Sequence, residues 1–173
     1  MSMSLPMPMS SPLLLIRDAI PADRPTIVEF NRLLAVETEH KVLDPAILDQ
    51  GVARALADPD RLRYWVAELP SATGHRLIGQ TAITREWSDW RNGWIWWLRS
   101  VYIQAGFRGH GVFKALYRHI YGQALASSSN VIGLRLYVEN SNLRAQQTYQ
   151  VLGMKPGGYS VLEELWLHRS SVD

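Results

Sequence analysis

The first sixty residues switch between a strand-like and a helix-like hydrophobic pattern. Thr26 and Glu29 have the spacing of a capping box near the start of the first helical stretch. Asp44 followed by Pro45 is a typical helix start, with an N-cap residue and then proline in the first turn. The pattern therefore predicts a strand over residues 13–17, a helix over residues 21–39 and a second helix over residues 45–57.

From residue 60 onward, strand patterns and helix patterns follow one another with turn residues between them. Leu116, Ile120 and Leu125 are expected on the buried side of one helix, and Gly153 is expected just past the end of the last helix. The expected strands cover residues 64–69, 77–87, 94–103, 131–138 and 160–168, and the expected helices cover residues 112–126 and 141–152. This order predicts one α/β (α+β) domain over residues 13–173.

The composition excludes several classes of protein. Hydrophobic residues make up 47% of the chain, and 18 Lys+Arg against 16 Asp+Glu leave a net charge of +2, too small for a nucleic-acid-binding surface. The chain has no cysteine, which excludes a thiol nucleophile, and no metal site is expected. Residues 1–12 lack the features of a signal peptide and are expected to form a flexible tail. No apolar run is long enough to span a membrane, so no membrane partner is expected. The absence of cysteine fits a cytoplasmic protein, which is the expected location.

A glycine-bearing loop joins the long expected strand to the helix that follows it. Its glycines, Gly106, Gly109 and Gly111, let a ligand approach the backbone closely, and the N–H groups at the helix start form an anion site. Arg108 adds a cation that can bind a phosphate through two hydrogen bonds. The same strand, turn and helix also occur as a plain crossover without a ligand. The P-loop pattern and the dinucleotide-binding glycine pattern are both absent from the sequence.

A second motif follows the glycine loop about 34 residues later. It reads N-x-x-A-x-x-x-Y-x-x-x-G-M and is formed by Asn142, Ala145, Tyr149, Gly153 and Met154. Together with Arg108-x-x-Gly111, it resembles the motifs of the GNAT superfamily of acyl-CoA-dependent N-acetyltransferases, which read Q/R-x-x-G-x-G/A and N-x-x-A-x-x-x-Y-x-x-x-G-F. The resemblance covers residues from about 13 to 168.

The resemblance implies a fold and a binding mode for the co-substrate. It implies a mixed, mostly antiparallel sheet of six to seven strands flanked by about four helices, and acetyl-CoA as the acyl donor. The pantetheine arm would pair with the edge of the long strand at Val101, Tyr102 and Ile103, and the Val101 N–H would serve the thioester oxygen. The pyrophosphate would bind the backbone N–H groups of Arg108, Gly109, His110, Gly111, Val112 and Phe113.

Two positions of the binding motifs allow further expectations. Phe113 stands where the family pattern has a small residue, so its ring is expected to point away from the pyrophosphate. Asn142 would hydrogen-bond the pantetheine arm, and its alternative role is to cap the helix that it begins.

The resemblance also assigns the proton transfers. Tyr149 would protonate the departing thiolate, since a phenol is protonated at neutral pH, and its alternative role is packing on an amphipathic helix. Residues 94–98 of the long strand contain no carboxylate that could deprotonate the amine. Glu37 and Glu39, at the end of the first helix, are therefore the main candidates for the base. Further candidates are His40, Glu86 and Asp89, and a water chain would also suffice. Each of these groups could instead be a solvated surface charge.

Five tryptophans fall within eleven residues, from position 87 to position 97. Strand alternation places Trp94 and Trp96 on one face and Trp97 on the other. Core packing explains at least two of the five, and the others could line an aromatic pocket for a cationic amine.

Taken together, these features predict an N-acetyltransferase that acts on a primary amine of a small molecule or peptide terminus. The acetyl group would move by direct attack of the amine in a ternary complex. No nucleic-acid partner is expected, and a homodimer is possible by analogy with the family. The alternative is a module that binds acyl-CoA without turning it over.

Overall fold

The structure is a computed structural model that describes residues 13–72 and 74–166. The chain divides into two units, with the boundary between Glu139 and Asn140. The first unit contains the strands β1 (Leu15–Asp18), β2 (Arg63–Ser71), β3 (Gly74–Ser88), β4 (Gly93–Ile103) and β5 (Val131–Leu136). It also contains the helices α1 (Arg24–Glu39), α2 (Pro45–Ala57) and α3 (Val112–Ala126). Short 3-10 helices cover Pro21–Asp23, Asp89–Arg91 and Ala105–Phe107. The second unit contains α4 (Leu143–Val151).

The strands form one sheet in the order β1-β2-β3-β4-β5. The first three pairings are antiparallel, whereas β4 and β5 are parallel and are connected through α3. The expected α/β fold, with a mixed and mostly antiparallel sheet and four α-helices, is confirmed. The described residues hold five strands, however, and not six to seven.

The expected strand over residues 160–168 is the main error in the fold prediction. Residues 160–166 form no strand, and residues 167–168 lie outside the described residues. The apolar side chains that suggested the strand are exposed, including Leu162 at 94% and Trp166 at 67%. An apolar run predicts a strand only where a sheet buries one of its faces, and these side chains are not buried.

The start of α2 was predicted correctly and the start of α1 was not. The Asp44 carboxylate accepts the N–H groups of Ala46 and Ile47, both at 2.9 Å, so α2 begins at Pro45 as expected. In contrast, α1 begins at Arg24, which places Thr26 and Glu29 inside the helix instead of at its cap. Glu29 binds Arg32 of the next turn at 2.7 Å, so the proposed capping box is wrong.

Helices cover both faces of the sheet. Trp96 of β4 packs with Leu116 and Ile120 of α3 on one face, and α1 and α2 cover the opposite face. The expected inward position of Leu125 is wrong, because its side chain is 70% exposed and Ala124 is buried in its place. Among the described residues, no helix combines the length and the hydropathy of a membrane span.

Helix α4 of the second unit has defined caps at both ends. It begins at Leu143, two residues later than predicted, because Asn142 is the N-cap residue and its side chain accepts the Ala145 N–H at 3.1 Å. Gly153 has a φ of 93° just past the C-terminus, as expected. Its N–H donates to Gln150 O at 2.9 Å, and the Met154 N–H donates to Tyr149 O at 3.0 Å, the two hydrogen bonds of a Schellman motif.

Candidate functional site

The two halves of β4 have different neighbours. From Trp94 to Leu98 the strand pairs with β3 on one side and with β5 on the other. Within the described residues, the pairing with β5 stops at Leu98, although β4 continues to Ile103. The C-terminal half of β4 therefore has one edge without a partner strand, and the predicted pantetheine residues Val101, Tyr102 and Ile103 lie in this half.

A β-bulge interrupts this open half. Tyr102 pairs with Gln80 and Arg99 pairs with Ala82, so β4 has one more residue than β3 between these two pairs. Ser100 has a φ of 49°, in the left-handed region that non-glycine residues rarely adopt. The extra residue keeps Arg99 and Tyr102 on the same face of the sheet. The bulge lies at Ser100 and Val101, where the resemblance places the thioester.

A buried polar network supports the bulge. The Gln80 side chain is fully buried, and its Nε2 donates to Ser100 O at 3.3 Å and to Asn31 Oδ1 at 2.9 Å. Asn31 Nδ2 in turn donates to the Tyr64 hydroxyl at 3.1 Å. We did not predict this network from the sequence. The available signal was a glutamine within a buried strand pattern, because a buried amide needs hydrogen-bond partners.

The glycine loop has the backbone geometry that an anion site needs. Gly109 and Gly111 have φ values of 82° and 81°, and a Cβ atom at either position would meet no atom within 4 Å. Gly111 is the N-cap residue of α3 and has no side chain to accept the N–H groups of the first turn. Val112 is buried against the sheet, and the Phe113 ring lies 6.2 Å from the Tyr117 ring, one turn further along α3. His110 is exposed.

The Arg108 side chain binds protein groups. Its Nε donates to Ile103 O at 2.8 Å, and its Nη2 donates to Glu37 Oε2 at 2.5 Å. The Tyr102 hydroxyl donates to the other Glu37 oxygen at 3.0 Å. Burial raises the pKa of the Tyr102 phenol, and the hydrogen bond to Glu37 raises it further. Arg108 therefore connects the glycine loop to the end of α1.

Among the hydrogen bonds of the described residues, Glu37 reaches β4 and Glu39 does not. Glu37 binds Tyr102, whereas Glu39 binds Lys41 at 2.7 Å and is half-exposed. Two further candidate bases also accept hydrogen bonds from the protein. Glu86 accepts the Trp97 indole N–H at 2.7 Å, and Asp89 accepts the backbone N–H of the adjacent Trp90. His40 is the exposed C-cap residue of α1.

The tryptophans divide between the two faces as alternation predicted. Trp94 and Trp96 belong to the core under α3, whereas Trp97 lies on the opposite face with its indole on Glu86. Trp87 and Trp90 are 48% and 86% exposed, so core packing does not account for them.

In the second unit, Asn142 caps α4, and Tyr149 lies near the C-terminal end of the same helix. Burial raises the pKa of the Tyr149 phenol, so the hydroxyl keeps its proton at neutral pH. Asn142 thus has the capping role that the sequence left open, and Tyr149 has the protonation state that a general acid needs.

Comparison with known proteins identifies the family. The model of the acetyltransferase (GNAT) family matches residues 28–154. A solved structure of a possible acetyltransferase from Clostridium difficile 630 is 38% identical, with a TM-score of 0.80 and coverage of 90% of this chain and 99% of that chain. No protein of curated function matches the chain.

More distant structures share the fold. A predicted acetyltransferase from Clostridium acetobutylicum, solved with acetyl-CoA, is 17% identical, with a TM-score of 0.71 and coverage of 91% of this chain and 99% of that chain. An acetyltransferase from Trypanosoma brucei is 18% identical, with a TM-score of 0.65 and coverage of 88% and 99%. The bulged strand with its open edge and the glycine turn thus occur in an acyltransferase fold. The chain belongs to the GNAT acetyltransferase family.

Proposed function

We propose that this acyltransferase moves an acetyl group from acetyl-CoA to a primary amine of a small molecule or peptide terminus. The observation that carries the proposal is the position of the glycine turn, which directly follows the open, bulged half of β4 and begins α3. One chain segment thereby offers an unpaired strand edge for an amide-containing arm and a helix start for a diphosphate.

The residues of the loop fit the phosphates of CoA. The space in front of Gly109 and Gly111 admits a ligand to the backbone, and the uncapped start of α3 favours negative charge. The N–H groups from Arg108 to Phe113 would bind the pyrophosphate, and the backbone at Val101 and Ile103 would bind the pantetheine arm. Asn142 would add a hydrogen bond to the same arm.

The transfer is a direct displacement at the thioester. The neutral amine nitrogen attacks the carbonyl carbon, the N–C bond forms, the C–S bond breaks, and the sulfur leaves as a thiolate. The amine must lose a proton and the thiolate must gain one. We assign Glu37 as the base that accepts the proton of the amine, directly or through water. The reason is that Glu37 hydrogen-bonds Tyr102 beside the bulge and Glu39 does not. Tyr149 supplies the second proton.

The proposal is tested by acetyl-CoA turnover with a panel of amines, detected as released thiol. Amine-dependent thiol release, with an N-acetylated product in mass spectrometry, is the expected result. A calorimetric titration with CoA measures cofactor binding separately. A folded protein that binds CoA but acetylates no amine would instead be an acyl-CoA-binding module.

A further inference from the structure

Four side chains form a continuous series of contacts on the face of β4 and β5 that also carries α1 and α2. We call this series the stack, and its members in order are Arg135, Trp97, Tyr137 and Arg99. The Arg135 guanidinium lies 5.6 Å from the Trp97 ring, and the Trp97 ring lies 4.5 Å from the Tyr137 ring. The Arg99 guanidinium lies 5.6 Å from the Tyr137 ring. Each contact is within the range of ring stacking or cation–π attraction.

The two ends of the stack differ in charge. At one end Arg135 donates to Glu86 Oε1 at 2.8 Å, and the other Glu86 oxygen accepts the Trp97 indole N–H at 2.7 Å. At the opposite end, no carboxylate of the described part of the chain lies within 4 Å of the Arg99 guanidinium. One end is therefore a neutralised ion pair, and the other is an exposed cation held against a ring.

The cationic end lies at the point where β4 and β5 separate. Leu98 and Leu136 are the last paired residues, and Arg99 and Tyr137 are the residues that directly follow them in the chain. Arg99 directly precedes Ser100 of the bulge and is two residues before Val101. It shares its sheet face with Tyr102, which binds Glu37. An exposed cation thus lies beside the thioester position and on the same side as the proposed base.

We propose that Arg99 binds the carboxylate of the acceptor, so that the acceptor is an amino acid in which the amine and carboxylate are one or two carbons apart. This inference rests on the proposed function and adds a substrate class to it. The guanidinium matches a carboxylate through two parallel hydrogen bonds. Binding the carboxylate there holds the nearby amine against the thioester carbon for the displacement already described, with N-acetyl amino acid and free CoA thiol as products.

The test compares matched acceptors that differ only in the carboxylate. L-phenylalanine is paired with 2-phenylethylamine, and L-leucine with 3-methylbutylamine. We expect kcat/KM to be higher for each amino acid than for its decarboxylated partner. Arg99→Gln should lower kcat/KM for the amino acids about 10- to 100-fold, mainly through KM, and leave the plain amines within about twofold. The control is Arg54→Gln, which removes an exposed arginine from α2, where no catalytic group lies.

Three kinetic outcomes and one binding outcome overturn the inference. The first is a wild-type enzyme that acetylates plain amines as well as amino acids, which leaves the proposed function intact. The second is an equal loss for both acceptor classes in Arg99→Gln, which would indicate a structural role. The third is a preference for the dipeptide phenylalanyl-glycine, whose carboxylate is farther from the amine. If no amine is acetylated, the CoA complexes of the parent and of Arg99→Gln are titrated with N-acetyl-L-phenylalanine. Weaker binding to the variant supports the proposal, and equal binding to both proteins rejects it.

Discussion

The two halves of β4 show how one strand can serve both stability and chemistry. From Trp94 to Leu98 both edges are hydrogen-bonded, and Trp96 and Leu98 are 5% and 2% exposed. From Arg99 to Ile103 one edge has no partner strand among the described residues, and the backbone bulges. The first half has its backbone groups satisfied by neighbouring strands, whereas the proposed function uses the unpaired edge of the second half to bind the acyl donor. Substitutions in the first half should therefore change stability, and substitutions around the second half should change binding and turnover.

The largest expected effect is on the paired half. Trp96→Ala removes a buried ring from the core under α3 and should lower the free energy of unfolding by about 3–5 kcal/mol. Denaturant titration measures this loss. For the fraction that remains folded, kcat should stay within about twofold of the parent enzyme. A large fall in kcat without a loss of stability would show that the paired half takes part in the chemistry.

Tyr149→Phe tests the general-acid role proposed for Tyr149. The substitution keeps the ring and removes only the proton donor, so kcat should fall about 100-fold while the affinity for acetyl-CoA is unchanged. Because burial raises the pKa of this phenol, the parent should keep its general acid from neutral pH up to at least about pH 10 and lose it above its pKa. A kcat within about twofold of the parent, with chemistry rate-limiting, would make Tyr149 a packing residue.

Gly111→Val tests the loop that follows the open half. At a φ of 81° valine is strained, and its side chain enters the space through which the phosphates would approach. Binding of CoA should weaken by about 1–3 kcal/mol, or about 5- to 150-fold, in calorimetric titration. Gly122→Val is the matched control, because Gly122 lies in the same helix with open space and an ordinary φ. Equal affinity in a folded Gly111→Val protein would exclude the loop as the phosphate site.

The smallest effects are expected at the end of α1. Glu37→Gln should lower kcat/KM for the amine about tenfold, because the proposed base is lost. Glu39→Gln should leave kcat/KM within about twofold of the parent, since Glu39 is half-exposed and bound to Lys41. Steady-state kinetics with the amine distinguish the two variants. If both variants match the parent, neither carboxylate serves as the base.

The sequence predicted best those features that neighbouring residues determine. The bounds of α2 and α3 were predicted to the residue, because Asp44–Pro45 and Gly111 are local signals at their ends. Features that depend on distant residues were missed. The contacts of Glu37 with Tyr102 and Arg108 join residues 65 and 71 positions apart, so no local pattern could reveal them. Residues 160–166, the described part of the last expected strand, form no strand for the same reason, since strand formation depends on a neighbouring strand.

The ion pair between Glu37 and Arg108 has a thermodynamic consequence. It joins α1, which carries the proposed base, to the loop that we propose as the phosphate site. A ligand that alters this contact on one side shifts the affinity on the other, and linkage requires the two shifts to be equal in size. Such reciprocity would appear as an acceptor dissociation constant that depends on the concentration of CoA. Glu37 would then influence the order in which the two substrates bind as well as the proton that leaves the amine.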